Sequence, residues 1–130
     1  MTNEFDLVLV DCSGWVEFLG EGPLAGKFAP YFEREESLVV PVIVLYEVYK
    51  KLLSVGGSTT ADRFLSAALR SRIIQLDEHI ALLSAQISLE RRLAMADAMI
   101  YGTATVTGAR LVTSDTHFQG LPGVTVITRG

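Results

Sequence analysis

The sequence predicts an α/β fold, a three-layer α/β/α sandwich around a central parallel sheet of about five strands. Three observations predict it. Five short apolar runs recur along the chain. Segments with apolar residues at helical spacing separate most of them. The runs are continuous rather than alternating, as expected for strands buried on both faces. The 130 residues, 49% apolar and 20% charged, match the size of one domain and suffice for a core. A single domain over residues 1–130 is expected.

Leu7-Val8-Leu9-Val10 is the first strand, ended by Asp11. Ser13 is placed to cap a short helix through Trp15, Val16, Phe18 and Leu19 that stops near Gly20. Leu24 to Glu35 reads as an amphipathic helix with Leu24, Phe28, Tyr31 and Phe32 on one face. Leu38-Val39-Val40 is the second strand. Pro41 closes it and is allowed at a helix start, and Ile43, Tyr46, Glu47 and Lys50 follow at helical spacing as far as Gly56-Gly57. Thr59, with Asp62 three residues on, resembles a capping box for a helix from Ala61 to Arg70. Ile73-Ile74-Gln75-Leu76 is the third strand, and Asp77 caps a long helix running to about Arg92. After a break near Leu93-Ala94, a helix from about Ala96 to Thr107 stops at Gly108, a residue suited to the left-handed closing position. Arg110-Leu111-Val112-Thr113 is the fourth strand and leads into Ser114-Asp115. Val124-Thr125-Val126-Ile127 is the fifth.

Bulk properties exclude some classes. No apolar run approaches the roughly 20 residues of a membrane span. Met1-Thr2-Asn3-Glu4 carries no positive charge ahead of the first apolar run, which speaks against a secretory leader. Cys12 is the only cysteine, so no intrachain disulfide can form, and a reducing, cytoplasmic setting is expected. The formal net charge of −4 at first disfavours a nucleic-acid partner. Setting aside four acids that belong together leaves the remainder balanced, with basic pairs at Lys50-Lys51 and Arg91-Arg92.

Those four acids are Asp11, Glu47, Asp97 and Asp115. Sites in open parallel sheets form beyond the carboxyl ends of the strands. Asp11 follows the first strand directly and Asp115 the fourth. Glu47 lies two turns into the helix after the second strand, and Asp97 opens the helix before the fourth. All four can reach one rim. Taken singly, an Asp after a strand is often a cap, Glu47 could be a solvated helix residue, and Asp97 a first-turn acid. Taken together they imply a cation. Two unit charges about 4 Å apart repel by roughly 4 kcal/mol at an effective dielectric near 20. All-oxygen ligands suit Mg²⁺, with Mn²⁺ able to substitute.

Four segments then carry a resemblance to the PIN-domain ribonucleases, most closely the VapC-type toxins of toxin–antitoxin pairs. Val10-Asp11-Cys12-Ser13-Gly14-Trp15 resembles the family's opening Asp-Thr/Ser-Ser motif. Pro41-Val42-Ile43-Val44-Leu45-Tyr46-Glu47-Val48 resembles its helix-borne Glu motif. Ala96-Asp97-Ala98-Met99-Ile100-Tyr101 and Leu111-Val112-Thr113-Ser114-Asp115-Thr116-His117-Phe118 resemble its third and fourth. The resemblance implies a Mg²⁺-dependent endoribonuclease in which Asp11, Glu47, Asp97 and Asp115 bind metal. Ser13 supports the site through Asp11 or a metal-bound water. A metal-activated water attacks the RNA phosphodiester in line, leaving 5′-phosphate and 3′-hydroxyl ends. The resemblance also implies a homodimer silenced by a cognate antitoxin. Two residues depart from the pattern. Cys12 replaces a Thr or Ser, and His117 stands where some members carry a further acid, which favours one metal ion over two.

The remaining candidates are weighed one by one. His117 could contact an RNA phosphate or simply lie in a capped surface turn. His79 reads as structural or solvated, Cys12 as a small buried residue rather than a nucleophile, and Trp15 and Phe18 as packing or partner-contacting residues. Lys50-Lys51 and Arg91-Arg92 are solvated helix charges that could also steer RNA, and the Thr113 and Ser114 hydroxyls could reach the site. A phosphatase with an Asp nucleophile needs a second acid where Ser13 stands. A phospho-accepting receiver domain needs a later Lys, and none follows Lys51. A non-catalytic PIN-like domain that only binds RNA or protein is the remaining alternative.

Overall fold

The computed structural model describes residues 6–129; the leader expectation drawn from Met1-Thr2-Asn3-Glu4 lies outside them. The elements are β1 (Val8–Val10), α1 (Cys12–Leu19), α2 (Ala25–Phe28), β2 (Val39–Pro41), α3 (Val42–Val55), α4 (Gly57–Leu69), β3 (Arg72–Ile74), α5 (Glu78–Arg91), α6 (Met95–Thr107), β4 (Arg110–Thr113) and β5 (Val124–Val126). All strand pairs are parallel. β1 pairs with β4 and β4 with β5, while β2 pairs with β3. A parallel bridge between Val8 and Leu38 joins the two ladders, giving the order β3-β2-β1-β4-β5. Right-handed crossovers in that order place α1 to α4 on one face and α5 and α6 on the other. The contacts agree: α1, α3 and α4 pack on one another, and α5 packs along α6. The result is the three-layer sandwich around five strands that the apolar runs predict. The direction of strand addition reverses between β1 and β4, which is where a doubly wound sheet opens a crevice at its carboxyl edge.

Burial explains the short strands. Leu9, Val10, Val39, Val40, Leu111 and Val112 are each at most 1% exposed, so both faces of the central ladder are covered. Aromatic rings fill the side facing α1 and α4. Trp15 meets Phe32 and Phe64 edge-on at 4.6 and 5.0 Å between centroids, and Phe18 stacks on Phe32 at 4.3 Å. Such pairs add about 0.5–1.5 kcal/mol beyond area burial. Trp15 and Phe18 are therefore packing residues. Two glycines set close approaches. A Cβ on Gly14 would lie 2.3 Å from Val10, and one on Gly102 would lie 2.4 Å from the Ser84 hydroxyl. The first lets α1 sit on β1, and the second lets α6 sit on α5.

Three expected elements take a different form. The helix expected from Leu24 to Glu35 is broken: α2 ends at Phe28, and two short 3₁₀ turns follow, Ala29–Phe32 and Glu35–Ser37. Pro30 is the reason, since it lacks an N–H and its ring clashes with the preceding helical turn. The capping box expected at Thr59 is not used. α4 starts at Gly57, whose positive φ of 77° reverses the chain directly after α3, and no side chain caps it. The cap of α1 is Asp11, which accepts from the Gly14 N–H, and not Ser13, which lies inside the helix. Asp77 does cap α5 and Gly108 does close α6 at φ 74°, as expected. No helix among the described residues is long and apolar enough to cross a membrane.

Candidate functional site

The site starts from the pairing of β1 with β4. Val10 lies opposite Val112, so the next residues, Asp11 and Thr113, emerge side by side at the carboxyl edge. Asp11 is 4% exposed and nevertheless satisfied. The Ser13 hydroxyl donates to its Oδ1 at 2.6 Å, the Gly14 N–H to the same oxygen at 3.2 Å, and the Thr113 hydroxyl to Oδ2 at 2.5 Å. Each hydroxyl accepts in turn from the loop after β4: Ser114 N–H donates to Ser13 Oγ at 3.0 Å, and Asp115 N–H to Thr113 Oγ1 at 2.9 Å. Two relays of hydrogen bonds thus tie the β4 loop to Asp11. Burial, the largest influence, pushes the Asp11 carboxyl above its ordinary pKa; the Ser13, Thr113 and Gly14 hydrogen bonds oppose the rise and the Asp115 charge adds to it.

Glu47 and Asp97 arrive differently. Glu47 sits on α3 and Asp97 in the first turn of α6, two helices that touch. Burial first, then the charges of Asp97 and Asp11, push Glu47 up. Burial first, then Asp115, pushes Asp97 up, and His117 pulls it back. Asp115 caps the 3₁₀ turn Thr116–Phe118 by accepting the His117 N–H at 2.9 Å. Asp11 and Asp115 are therefore helix caps and rim carboxylates at once.

One cavity of about 490 Å³ is lined by all four acids, together with Ser13, Cys12, Tyr46, Lys50, Lys51, Ser54 and Ile100. Asp11, Glu47 and Asp97, raised by burial and by neighbouring acids, form with Asp115 a donor set that fits a hard divalent cation, because a cation offsets the cost of holding them ionised. Glu47, Lys50, Lys51 and Ser54 follow helical spacing and so share one face of α3. Arg91 and Arg92, at the end of α5, do not line this cavity, and His79 is exposed elsewhere on α5. The Cys12 thiol is pushed up to about 11 by burial, then by Glu47 and Asp11, with Lys51 opposing. It is a thiol at neutral pH and a poor nucleophile. Sequence reasoning names Tyr46 and Ile100 only as helix and motif positions, not as lining residues, and does not mention Ser54. The spacing of Ser54 from Glu47 on α3 is the one signal that could have found any of them.

A family model, PIN domain, matches residues 8–124. Solved structures resemble the fold throughout. A chain of a toxin–antitoxin complex from Klebsiella pneumoniae is 26% identical, with a TM-score of 0.76 over 92% of this chain and 96% of that one. VapC20 from Mycobacterium tuberculosis, a sarcin–ricin-loop-cleaving toxin, is 15% identical, with a TM-score of 0.72 over 95% and 98%. A DNA-bound VapBC complex from Salmonella typhimurium contains a chain 19% identical, with a TM-score of 0.71 over 92% and 96%. No curated protein matches the sequence.

Proposed function

Since the chain belongs to the PIN-domain family, we propose that it is a divalent-metal-dependent endoribonuclease acting as the toxin of a toxin–antitoxin pair. The observation that carries this reading is the convergence of Asp11, Glu47, Asp97 and Asp115 on one cavity with a lysine-bearing rim. A Mg²⁺ or Mn²⁺ ion there would neutralise charge at the scissile phosphate and lower the pKa of water, the two needs of phosphodiester hydrolysis.

The chain's own residues divide the work. Ser13 and Thr113 orient Asp11 by donating to its two oxygens. Glu47, Asp97 and Asp115 complete the metal-holding carboxylates. Lys50 and Lys51 raise the local concentration of phosphate beside a pocket that would otherwise repel it. Lys50 also lies 5.6 Å from the Tyr46 ring centroid, which restrains its ammonium at the rim. The reaction is expected to leave 5′-phosphate and 3′-hydroxyl ends.

An apolar groove of about 670 Å³ adjoins the cavity, lined by Val42, Leu45, Tyr49, Leu53 and Leu65, and shares Tyr46, Lys50 and Ser54 with it. A partner segment lying in this groove would pass directly over the acids. That continuity supports the antitoxin reading, and the Klebsiella pneumoniae relative belongs to a toxin–antitoxin complex. A purely RNA- or protein-binding domain does not require buried carboxylates that repel one another.

The test uses purified protein and a single-stranded RNA pool. Cleavage is expected with Mg²⁺ or Mn²⁺ and not with chelator. Asp97→Asn is expected to be folded by circular dichroism and inactive. Cleavage that persists in chelator would refute the metal-dependent mechanism.

A further inference from the structure

Building on the metal-dependent reading above, we propose that His117 is a nitrogen ligand of the cation held by Asp97 and Asp115, and that it biases the site toward later first-row divalent ions such as Co²⁺ over Mg²⁺. The geometry begins in the loop after β4. Phe118 is fully buried, and Asp115 holds the His117 N–H, so the 3₁₀ turn is pinned at both ends. The imidazole is thereby directed at the acidic rim. Its Nδ1 lies 3.2 Å from Asp115 Oδ1 and 3.5 Å from Asp97 Oδ2. One ligand atom from each of the three residues can be chosen so that all lie within 4.8 Å of one another.

These separations fit one ion. Ligands about 2.1 Å from a common cation stand roughly 3.0 Å apart at a right angle and 3.4 Å apart at the tetrahedral angle. The imidazole is 73% exposed, so a hydrated ion can reach it without opening the fold. Its chemistry then sets selectivity. Mg²⁺ prefers oxygen and keeps its waters, whereas imidazole suits later divalent ions of the first row. An acid at this position would add charge for Mg²⁺; the histidine adds a softer, neutral donor instead.

The experiment is calorimetric titration of the wild type, His117→Ala and His117→Asp with Mg²⁺, Mn²⁺ and Co²⁺, with the visible absorption of the Co²⁺ form recorded. His117→Ala should weaken Co²⁺ binding by at least about tenfold, shift the Co²⁺ spectrum, leave Mg²⁺ binding within about twofold, and weaken Mn²⁺ by an intermediate factor. His117→Asp should strengthen Mg²⁺ relative to Co²⁺. Equal losses for all three ions, or no loss for any, would overturn the proposal while leaving the metal-dependent reading intact. Failure of the wild type to bind any of the three ions would overturn both. Because His117 is exposed, the variants should keep the wild-type circular dichroism spectrum, so a changed affinity reports on the site.

Discussion

Asp11 and Glu47 face the same cavity and are held in different ways. Asp11, on the seam between β1 and β4, receives three hydrogen bonds and anchors two relays from the β4 loop. Glu47, on the helical wall, is set by burial, with the Asp97 and Asp11 charges against it. The seam is therefore part of the fold's own structure, and the helical wall is a store of unrelieved charge. The difference teaches how one set of acids can serve both stability and chemistry: one member is built in, and others remain available to a ligand.

Breaking the seam should have the largest effect on stability. Asp11→Ala leaves two hydroxyls and an N–H without their acceptor and should cost about 2–4 kcal/mol in urea unfolding. A cost below roughly 1 kcal/mol would show that the seam does not depend on Asp11. On the wall, Mg²⁺ or Mn²⁺ at ten times its dissociation constant should stabilise the protein by about 1.4 kcal/mol. That gain should vanish in Asp97→Asn, as read by thermal unfolding. Without metal, Asp97→Asn and Glu47→Gln should each stabilise the fold slightly, by roughly 0.5 kcal/mol after allowance for solvent screening. A loss of stability in either would mean that the wall carboxylates are not under strain.

The pH dependence sharpens the same contrast. Asp11, Glu47 and Asp97 all have folded pKa values raised above 3.8, 4.5 and 3.8. The native state therefore holds more protons than the unfolded chain between those values and the raised ones. Their contribution to stability falls as pH rises through that window and then levels off. The metal-free wild type should gain stability as the pH falls from neutrality toward the ordinary carboxylate range, and Asp97→Asn should gain less. Metal binding should weaken over the same range, because the ligands must be ionised. The smallest effect is expected at the rim. Lys50→Ala should lower RNA affinity modestly and reduce the salt slope by about 0.7, one single-strand phosphate contact.

Much of this was legible from the chain because apolar runs end where carboxylates begin. Val10 before Asp11 and Thr113 before Asp115 mark strand ends, and a parallel sheet collects its strand ends at one rim. Helical spacing likewise carries Lys50 and Lys51 onto the face of Glu47. What was hidden depends on register and on competition between caps. That Thr113 meets Asp11 follows from Val10 pairing with Val112, which no local pattern encodes. Asp11 displaces Ser13 as the cap of α1 because its carboxylate reaches the Gly14 N–H, freeing the serine hydroxyl to bridge Asp11 and Ser114. Pro30 could have been read as a helix breaker; the apolar face of Leu24, Phe28, Tyr31 and Phe32 masked it. The reach of the His117 imidazole to Asp97 joins residues twenty positions apart, through a turn whose geometry the sequence leaves open.

The most direct test of the central claim is to map the 5′ ends of cellular RNA after brief expression of the wild type and of Asp97→Asn. The account predicts new 5′-phosphorylated ends at defined positions with the wild type and their absence with a folded, equally abundant Asp97→Asn. The same ends appearing with both proteins would contradict it.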